Sequence, residues 1–288
     1  MNLASRIVPT SHRVAETQSI LVLPVTQCLC GPWSMRVLAR TFRASLPIAL
    51  AMVALATASI SLDAQRGQGP AGPPPTPKAA AAIDLTGTWV SVISEDWALR
   101  MVTPAKGNYL RVPLTPAARK VADGWDPAKD EAAGEQCRGY GAAAIMRLPG
   151  RIRLSWLDDR TLNMELEAGN QTRVLRFGTT TPPAEPSWQG HSIAEWQHTI
   201  NPPRSGELKV TTTGLRAGYL RKNGVPYSAR TTMTEYYHRM AAPNGDTWLT
   251  LVSEIRDPEN LREPFVQSTH FKKLPDGSAF KPEPCSAQ

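Results

Sequence analysis

Apolar and polar residues alternate with a period of two along much of this chain, and turn residues separate the alternating segments. The pattern is clearest at Ile152, Leu154 and Trp156, where polar residues occupy the positions between them. Successive side chains of a β-strand point to opposite faces, so this pattern predicts half-buried strands. Strong turn signals also occur later in the chain, at Asn223-Gly224, Asn244-Gly245 and Asp276-Gly277.

About ten segments are strand candidates, whereas few favour a helix. The candidates lie near residues 87–94, 97–102, 143–148, 151–156, 162–166, 171–177, 208–213, 219–221, 229–239, 247–256 and 264–273. Thr115 followed by Pro116 predicts the start of a short helix that ends near Asp123, and another helical turn or two is expected within 126–135. Together these elements predict an all-β fold. The favoured architecture is an antiparallel β-barrel with one or two short helices, and a β-sandwich is the alternative.

Residues 35–64 have the organisation of a secretory signal peptide. Three arginines between 36 and 43 precede an apolar run, and Leu62-Asp63-Ala64 suits cleavage. An uncleaved membrane anchor is the competing interpretation, although the run is short for a membrane span. The signal predicts a periplasmic or extracellular protein with no stable membrane anchor after cleavage.

The rest of the chain divides around this signal. Residues 1–34 are predicted to be an extension outside the mature protein, because Met35 begins a conventional signal. Residues 65–83 are rich in Pro, Gly and Ala, which predicts a disordered leader. Residues 84–288 are then expected to form one β-barrel domain.

Charge and cysteine usage narrow the class of protein further. The formal net charge is +7, but five of the arginines lie before residue 65, so the mature chain is only weakly basic and no nucleic-acid partner is expected. Cys28 and Cys30 precede the signal. Cys137 and Cys285 remain in the exported part, which predicts one disulfide, with two separate buried thiols as the alternative.

Four segments follow one another along the chain: Trp188-Gln189-Gly190-His191-Ser192, Asn223-Gly224-Val225-Pro226-Tyr227-Ser228, Thr234-Glu235-Tyr236-Tyr237 and Arg256-Asp257-Pro258. In this order they resemble segments of a family of uncharacterised exported bacterial proteins. Members often have His at the position of Tyr227, and the resemblance implies no particular activity. A looser similarity to lipocalins is carried by Gly87-Thr88-Trp89, which looks like their first-strand element and implies binding of an apolar small molecule.

Polar side chains at alternate positions are candidates for lining a barrel cavity. Tyr236 shares a strand face with Thr234 and His238, and His270 shares one with Ser268. If these faces point inward, they could orient a ligand or transfer a proton; if outward, they are solvated. His191 could belong to a metal site, but the surrounding residues favour a loop or strand in which it forms a hydrogen bond.

A group of arginines could bind a carboxylate or phosphate. It comprises Arg147, Arg151 and Arg153, with Arg173 and Arg176 nearby. Alternation places the first three opposite the apolar face of their segment, which favours a basic row facing solvent instead.

The sequence therefore predicts an exported protein that binds a small, partly apolar molecule, with no cofactor and no metal. The candidate ligand-binding residues are Trp188, His191, Arg221, Tyr236 and His270. A secreted hydrolase, isomerase or cyclase with His and Tyr as acid and base is one alternative, and an envelope protein-interaction module is another. Common nucleotide-binding, lipase and zinc-protease motifs are not found in the sequence.

Overall fold

The computed structural model describes residues 72–198 and 205–288. The predicted extension and signal peptide, and residues 65–71 of the predicted leader, lie outside these ranges and stay predictions. The described residues belong to one compact unit, Ala71–Gln288.

Nine strands close into a barrel, in the order β1-β11-β10-β9-β6-β5-β4-β3-β2. The barrel is closed because β1 pairs with both β2 and β11. The strands are β1 Gly87–Val92, β2 Arg151–Asp158, β3 Thr161–Leu166, β4 Gln171–Phe177, β5 His191–His198, β6 Gly206–Thr213, β9 Thr232–Ala241, β10 Thr247–Arg256 and β11 Phe265–Lys273. The barrel prediction is confirmed, and closure leaves these strands without a free edge.

One strand pair departs from the expected antiparallel arrangement. β4 and β5 run parallel, with Leu175 opposite Ser192 and Phe177 opposite Ala194. Residues 178–190 connect the two strands and are long enough to return the chain to the same end of the barrel. The sheet is therefore mixed, because a connection of this length permits a crossover that a short hairpin turn does not.

Alternate side chains fill the barrel interior. On β2 the buried residues are Ile152 and Leu154, and on β3 they are Leu162, Met164 and Leu166, as the period-two pattern predicts. Trp89 of β1 is fully buried, and its indole Nε1 donates to the carbonyl oxygen of Leu85 at 2.9 Å. The apolar ring of Trp89 is thus removed from water, and its single hydrogen-bond donor keeps an acceptor inside the protein.

One end of the barrel is covered by a cap, which we define as the helices, the two-stranded sheet and their connecting loops. In the described ranges the α-helices are α1 Trp97–Arg100, α2 Pro116–Asp123, α3 Pro127–Ala132 and α4 Ala142–Ile145, and the small sheet pairs β7 Gly218–Arg221 with β8 Val225–Tyr227. The cap has its own apolar cluster, which includes Leu114, Leu215 and Tyr227 and reaches Met233 and Ile255 of the barrel.

The predicted helix start at Thr115 is confirmed. The Thr115 side chain accepts a hydrogen bond from the Ala118 backbone N–H at 3.1 Å, and Pro116 occupies the first helical position. This satisfies one of the donors that a helix leaves unpaired at its N-terminus. Asp126 caps α3 in the same way.

Two predicted strands are helices. Segment 97–102 contains α1, and segment 143–148 begins within α4. Three consecutive alanines in α4, at 142–144, have the highest helix propensity of any residue, and all are buried, so the apolar run reflects burial on every side. In the segment of α1, apolar residues at every second position resemble a strand pattern. Four residues are too few to distinguish the period of a strand from that of a helix.

Cys137 and Cys285 form a disulfide between the cap and the C-terminal tail, as predicted. Their separation of 148 residues encloses most of the barrel strands. In the described ranges, no helix is long and apolar enough to cross a membrane.

Candidate functional site

The barrel interior holds a buried ion pair between β4 and β9. Arg173 donates to both carboxylate oxygens of Glu235, at 3.1 and 2.7 Å, and both side chains are fully shielded from solvent. Burial lowers the pKa of Arg173, but the charge of Glu235 more than offsets it and the net direction is upward. A charged group inside a protein needs such a partner, so this pair belongs to the core.

Tyr236 and His270, which were candidates for lining the barrel interior, lie on the outward faces of their strands. On β9 the inward residues are Met233, Glu235 and Tyr237, so Tyr236 faces outward and is partly exposed. On β11, Thr269 and Phe271 are buried while His270 faces outward. The inward orientation considered for Tyr236 and His270 is thus corrected, because the residues on both sides of each are buried and set the parity of the strand.

Outside the barrel, Glu95 and Asp96 form the acidic part of a charged cluster beside α1. His270 Nδ1 lies 3.2 Å from Glu95 Oε2, and Asp96 accepts from Arg111 at 2.6 Å. Burial acts to raise the pKa of Glu95, but hydrogen bonds from Ser94 and His270 and the charge of Arg100 lower it overall. Both Asp96 and Arg111 have positive φ, at 50° and 67°. Such backbone is costly for these residues and persists where surrounding contacts determine it, often at functional sites.

Two arginines join this cluster from opposite sides. Arg147 donates to Asp96 at 2.8 Å and to Glu95 at 3.3 Å, and it also binds the Ser268 carbonyl. Arg100 is buried, pairs with Glu95 and donates from Nε to the Arg147 carbonyl at 3.0 Å. The second terminal nitrogen of Arg100 is buried with no hydrogen-bond partner in the described structure. Burial and the neighbouring charge of Arg147 lower the pKa of Arg100 to about 10.

Arg221, at the end of β7, differs from Arg100 and Arg147 in its contacts. Its Nη1 is buried without a partner, and the described structure shows neither a hydrogen bond nor an ion pair from this side chain. Burial lowers the pKa of Arg221 to about 10, the charge of Asp96 opposes this shift, and the charge of Arg147 adds to it. A guanidinium with this pKa is still charged at neutral pH, so a partly buried positive charge has no acceptor in direct contact.

Arg221 lies between two cavities. The cap cavity, of about 360 Å³, is bounded by Arg100, Arg147 and Arg221, by the apolar side chains of Leu99, Met101, Val102, Leu148 and Leu220, and by Lys281–Pro284 of the tail. The side cavity, of about 240 Å³, is bounded by Glu95, Asp96, Arg111, Arg147, Arg221 and residues 265–268. The volume of the cap cavity suits a small molecule, with cations on one wall and aliphatic groups on another.

The C-terminal tail closes one wall of the cap cavity and is held at several points. Glu167 accepts from the Lys281 amide at 2.6 Å through its side chain and from the Glu283 amide at 2.9 Å through its backbone. The disulfide at Cys285 then fixes the tail to the cap. Glu167 is also engaged by Arg151, so its carboxylate is occupied by structural contacts.

The sequence-predicted ligand residues divide into two groups. Arg221 lines both cavities, and His270 belongs to the charged cluster through Glu95. Trp188 lies elsewhere, under the Arg216 guanidinium at 4.5 Å, and His191 is buried with its Nε2 2.9 Å from the Thr180 hydroxyl. The hydrogen-bonding role expected for His191 agrees with this contact.

Residue-level reasoning missed part of the site. Arg147 was assigned to a basic row facing solvent, but it is largely buried among acids, because α4 replaces the strand on which that alternation depended. Arg100 and the acidic pair before it were not singled out. The signal available in the sequence was the close succession of Glu95, Asp96 and Arg100 in a segment without other charges.

No model of a known protein family, no curated protein and no solved structure matches this chain. In the described ranges, no group of three or more His, Cys, Asp or Glu side chains is placed to hold a metal ion.

Proposed function

We propose that this protein is exported and binds a small, partly apolar molecule that carries a negative charge. The charge would bind Arg221 and the free nitrogen of Arg100, and the apolar part would lie along the aliphatic wall of the cap cavity. The observation that carries the proposal is the partly buried guanidinium of Arg221, whose Nη1 is shielded from solvent and which has neither a hydrogen bond nor an ion pair in the described structure. Membership in the exported family described above stays a prediction.

The electrostatics favour an anion. Arg100, Arg147 and Arg221 bring three buried or largely buried cations together, whereas Glu95 and Asp96 supply two carboxylates that are already shared among arginines. Removing a guanidinium from water costs free energy unless an acceptor replaces the water. A carboxylate or phosphate supplies acceptors in the geometry that a guanidinium fork matches.

The residues that line the cap cavity favour ligand binding over catalysis. Glu167 is the buried carboxylate of the lining, and its contacts with Arg151 and the tail amides leave it a structural group rather than a free base. The carboxylates of Glu95 and Asp96, beside the cations, already accept hydrogen bonds from arginines, so the lining provides charge and shape without a free base. The disulfide supports export, since such bonds persist in oxidising compartments.

The test compares ligands that share one chain and differ only in their head group. Octanoate and octyl phosphate should bind, as measured by isothermal titration calorimetry, whereas octanol and octylammonium should bind much more weakly. Arg221→Gln should weaken octanoate binding by about tenfold or more, since a hydrogen bond to a charged group contributes about 1.5–3 kcal/mol. The matched control is Arg239→Gln, which removes the same charge from an exposed position on β9 and should leave affinity unchanged.

Two outcomes would contradict the proposal. One is equal affinity for octanol and octanoate, which would mean that the cations do not contact the head group. The other is unchanged octanoate affinity in Arg221→Gln when circular dichroism shows that the variant is folded.

A further inference from the structure

Large apolar side chains that are strongly exposed are unevenly distributed over this protein. In the described ranges they are Trp97, Met101, Val102, Leu110, Val121, Leu157, Met240 and Val266. Single exposed apolar residues are common on protein surfaces, but several together with a polar rim mark an interaction site. Met101 and Val102 border the cap cavity, Val266 borders the side cavity, and Trp97 lies one helical turn before Met101. These four residues are named the apolar rim.

The apolar rim has a defined local geometry. Trp97 and Met101 lie one helical turn apart, and the Met101 amide donates to the Trp97 carbonyl at 2.9 Å. Met101 and Val102 also border the cap cavity, and Val266 borders the side cavity. The exposed fractions are 66 % for Trp97 and Val102, so both side chains project into solvent, and Val102 does so at the cap cavity.

Cations accompany the apolar rim. Arg111 borders the side cavity with two thirds of its side chain exposed, and Lys222 and Lys281 border the cap cavity, where Glu283 is the exposed acid. Exposed Trp and aliphatic side chains next to Lys and Arg match the boundary of a lipid layer, where apolar groups enter and cations meet phosphate. A protein partner would more usually cover a continuous apolar core with charges excluded from its centre.

We infer that this face binds the surface of an anionic lipid layer, with the lipid phosphate as the anion held at Arg221. This inference rests on the proposed function and names the source of its ligand. The apolar rim enters the head-group region, while Arg111, Lys222 and Lys281 lie at the level of the phosphates. The contact is peripheral and reversible, because four side chains supply limited apolar area and the charges are screened by salt.

The experiment is co-sedimentation of the protein, in the processed form that its host accumulates, with vesicles of two compositions. Binding is expected to equimolar phosphatidylcholine and phosphatidylglycerol, and not to pure phosphatidylcholine. Trp97→Ser combined with Val266→Ser should reduce vesicle binding by about tenfold, since each side chain loses its burial in the lipid. Leu157→Ser combined with Met240→Ser is the matched control, because those residues are similarly exposed but lie away from both cavities, and it should bind as the natural protein does.

Soluble anions separate the two proposals. Trp97→Ser with Val266→Ser should still bind octanoate with unchanged affinity, because neither residue lines the cap cavity. If that variant keeps both octanoate and vesicle binding, the lipid-surface inference is overturned and the proposed function stands. Equal binding to neutral and anionic vesicles would also overturn it. Loss of octanoate binding from Arg221→Gln together with unchanged vesicle binding would show that lipid phosphate is not the ligand of Arg221.

Discussion

Two buried arginines show, at the scale of single residues, how surroundings determine what a guanidinium does. Arg173 donates to Glu235 and, at 3.4 Å, to the Thr212 hydroxyl, so it stabilises the core. Arg221 has no such acceptors and faces two cavities. The same side chain is therefore structural in one place and a candidate ligand-binding group in the other.

Removing one member of the buried pair should destabilise the protein strongly. Arg173→Met leaves the Glu235 carboxylate buried without a partner, and the free energy of unfolding should fall by about 3–5 kcal/mol. Arg173→Met combined with Glu235→Leu removes both charges and should recover most of that loss. Urea denaturation followed by tryptophan fluorescence measures both variants. A single variant within about 1 kcal/mol of the natural protein would show that the pair is not desolvated as described.

Side-chain orientation was the least predictable property of the candidate site. On β2 and β3 the sequence alternates cleanly, and burial follows it. Arg173 on β4 and Glu235 on β9 occupy positions that a pattern of apolar residues would not identify as inward, because each charge is tolerated only by the other. Since the partners are 62 residues apart, nothing in either local segment reveals their pairing.

At the scale of elements, loops of the cap are held together by a few hydrogen-bonded side chains. Asp257, after β10, accepts from the backbone N–H and hydroxyl of Ser228 at 2.7 and 2.8 Å, and from the side chain of Asn260 at 2.9 Å. It also accepts from the Glu259 amide at 3.0 Å. This carboxylate therefore ties the end of β8 to the loop that follows β10.

Asp257 should make stability depend on pH in the acid range. Burial acts to raise its pKa, but the hydrogen bonds from Asn260, Ser228 and Glu259 lower it below the ordinary 3.8. A lowered folded-state pKa stabilises the protein above the unfolded-state value, and this contribution is lost as pH falls through the folded-state value. Asp257→Asn should lose about 2 kcal/mol at pH 7, and the difference from the natural protein should shrink below pH 4.

The measurement is urea denaturation at pH 7 and at several values below pH 4. Asp276→Asn is a suitable control, since Asp276 is exposed in a turn and should show no such difference. The role assigned to the carboxylate would be contradicted if the difference in free energy of unfolding between Asp257→Asn and the natural protein stayed constant as pH falls.

Element prediction succeeded where a signal has a local physical cause. The helix start at Thr115 follows from a side-chain hydrogen-bond acceptor, and the strand at 247–256 follows from sustained alternation of apolar and polar residues. Both signals are visible within a few residues. α1 and α4 were predicted as strands, because four-residue helices contain too little periodicity to reveal themselves. The parallel β4–β5 pair depends on where a long connection crosses, which neither strand encodes.

At the scale of the whole molecule, the barrel acts as a scaffold and the candidate site lies between its outer surface and the cap. Residues from α1, α4, β7, β11 and the tail meet there, although they are far apart in the chain. Strand patterning therefore predicts the barrel but not the site, which depends on how the loops and the tail fold back. The disulfide is the covalent part of that arrangement.

The disulfide should matter to both stability and ligand binding. Cys137→Ser combined with Cys285→Ser opens a loop of 148 residues, and the chain-entropy model gives a loss of up to about 5 kcal/mol. The tail wall of the cap cavity would then be held only by contacts such as those of Lys281 and Glu283 with Glu167. Octanoate affinity should therefore fall even at temperatures where the barrel remains folded, because binding must first order the tail. Calorimetric titration at low temperature, with circular dichroism to show that the strands persist, separates this effect from unfolding. Full octanoate affinity in the folded double variant would mean that the tail holds its place without the bond and that the disulfide contributes to stability alone.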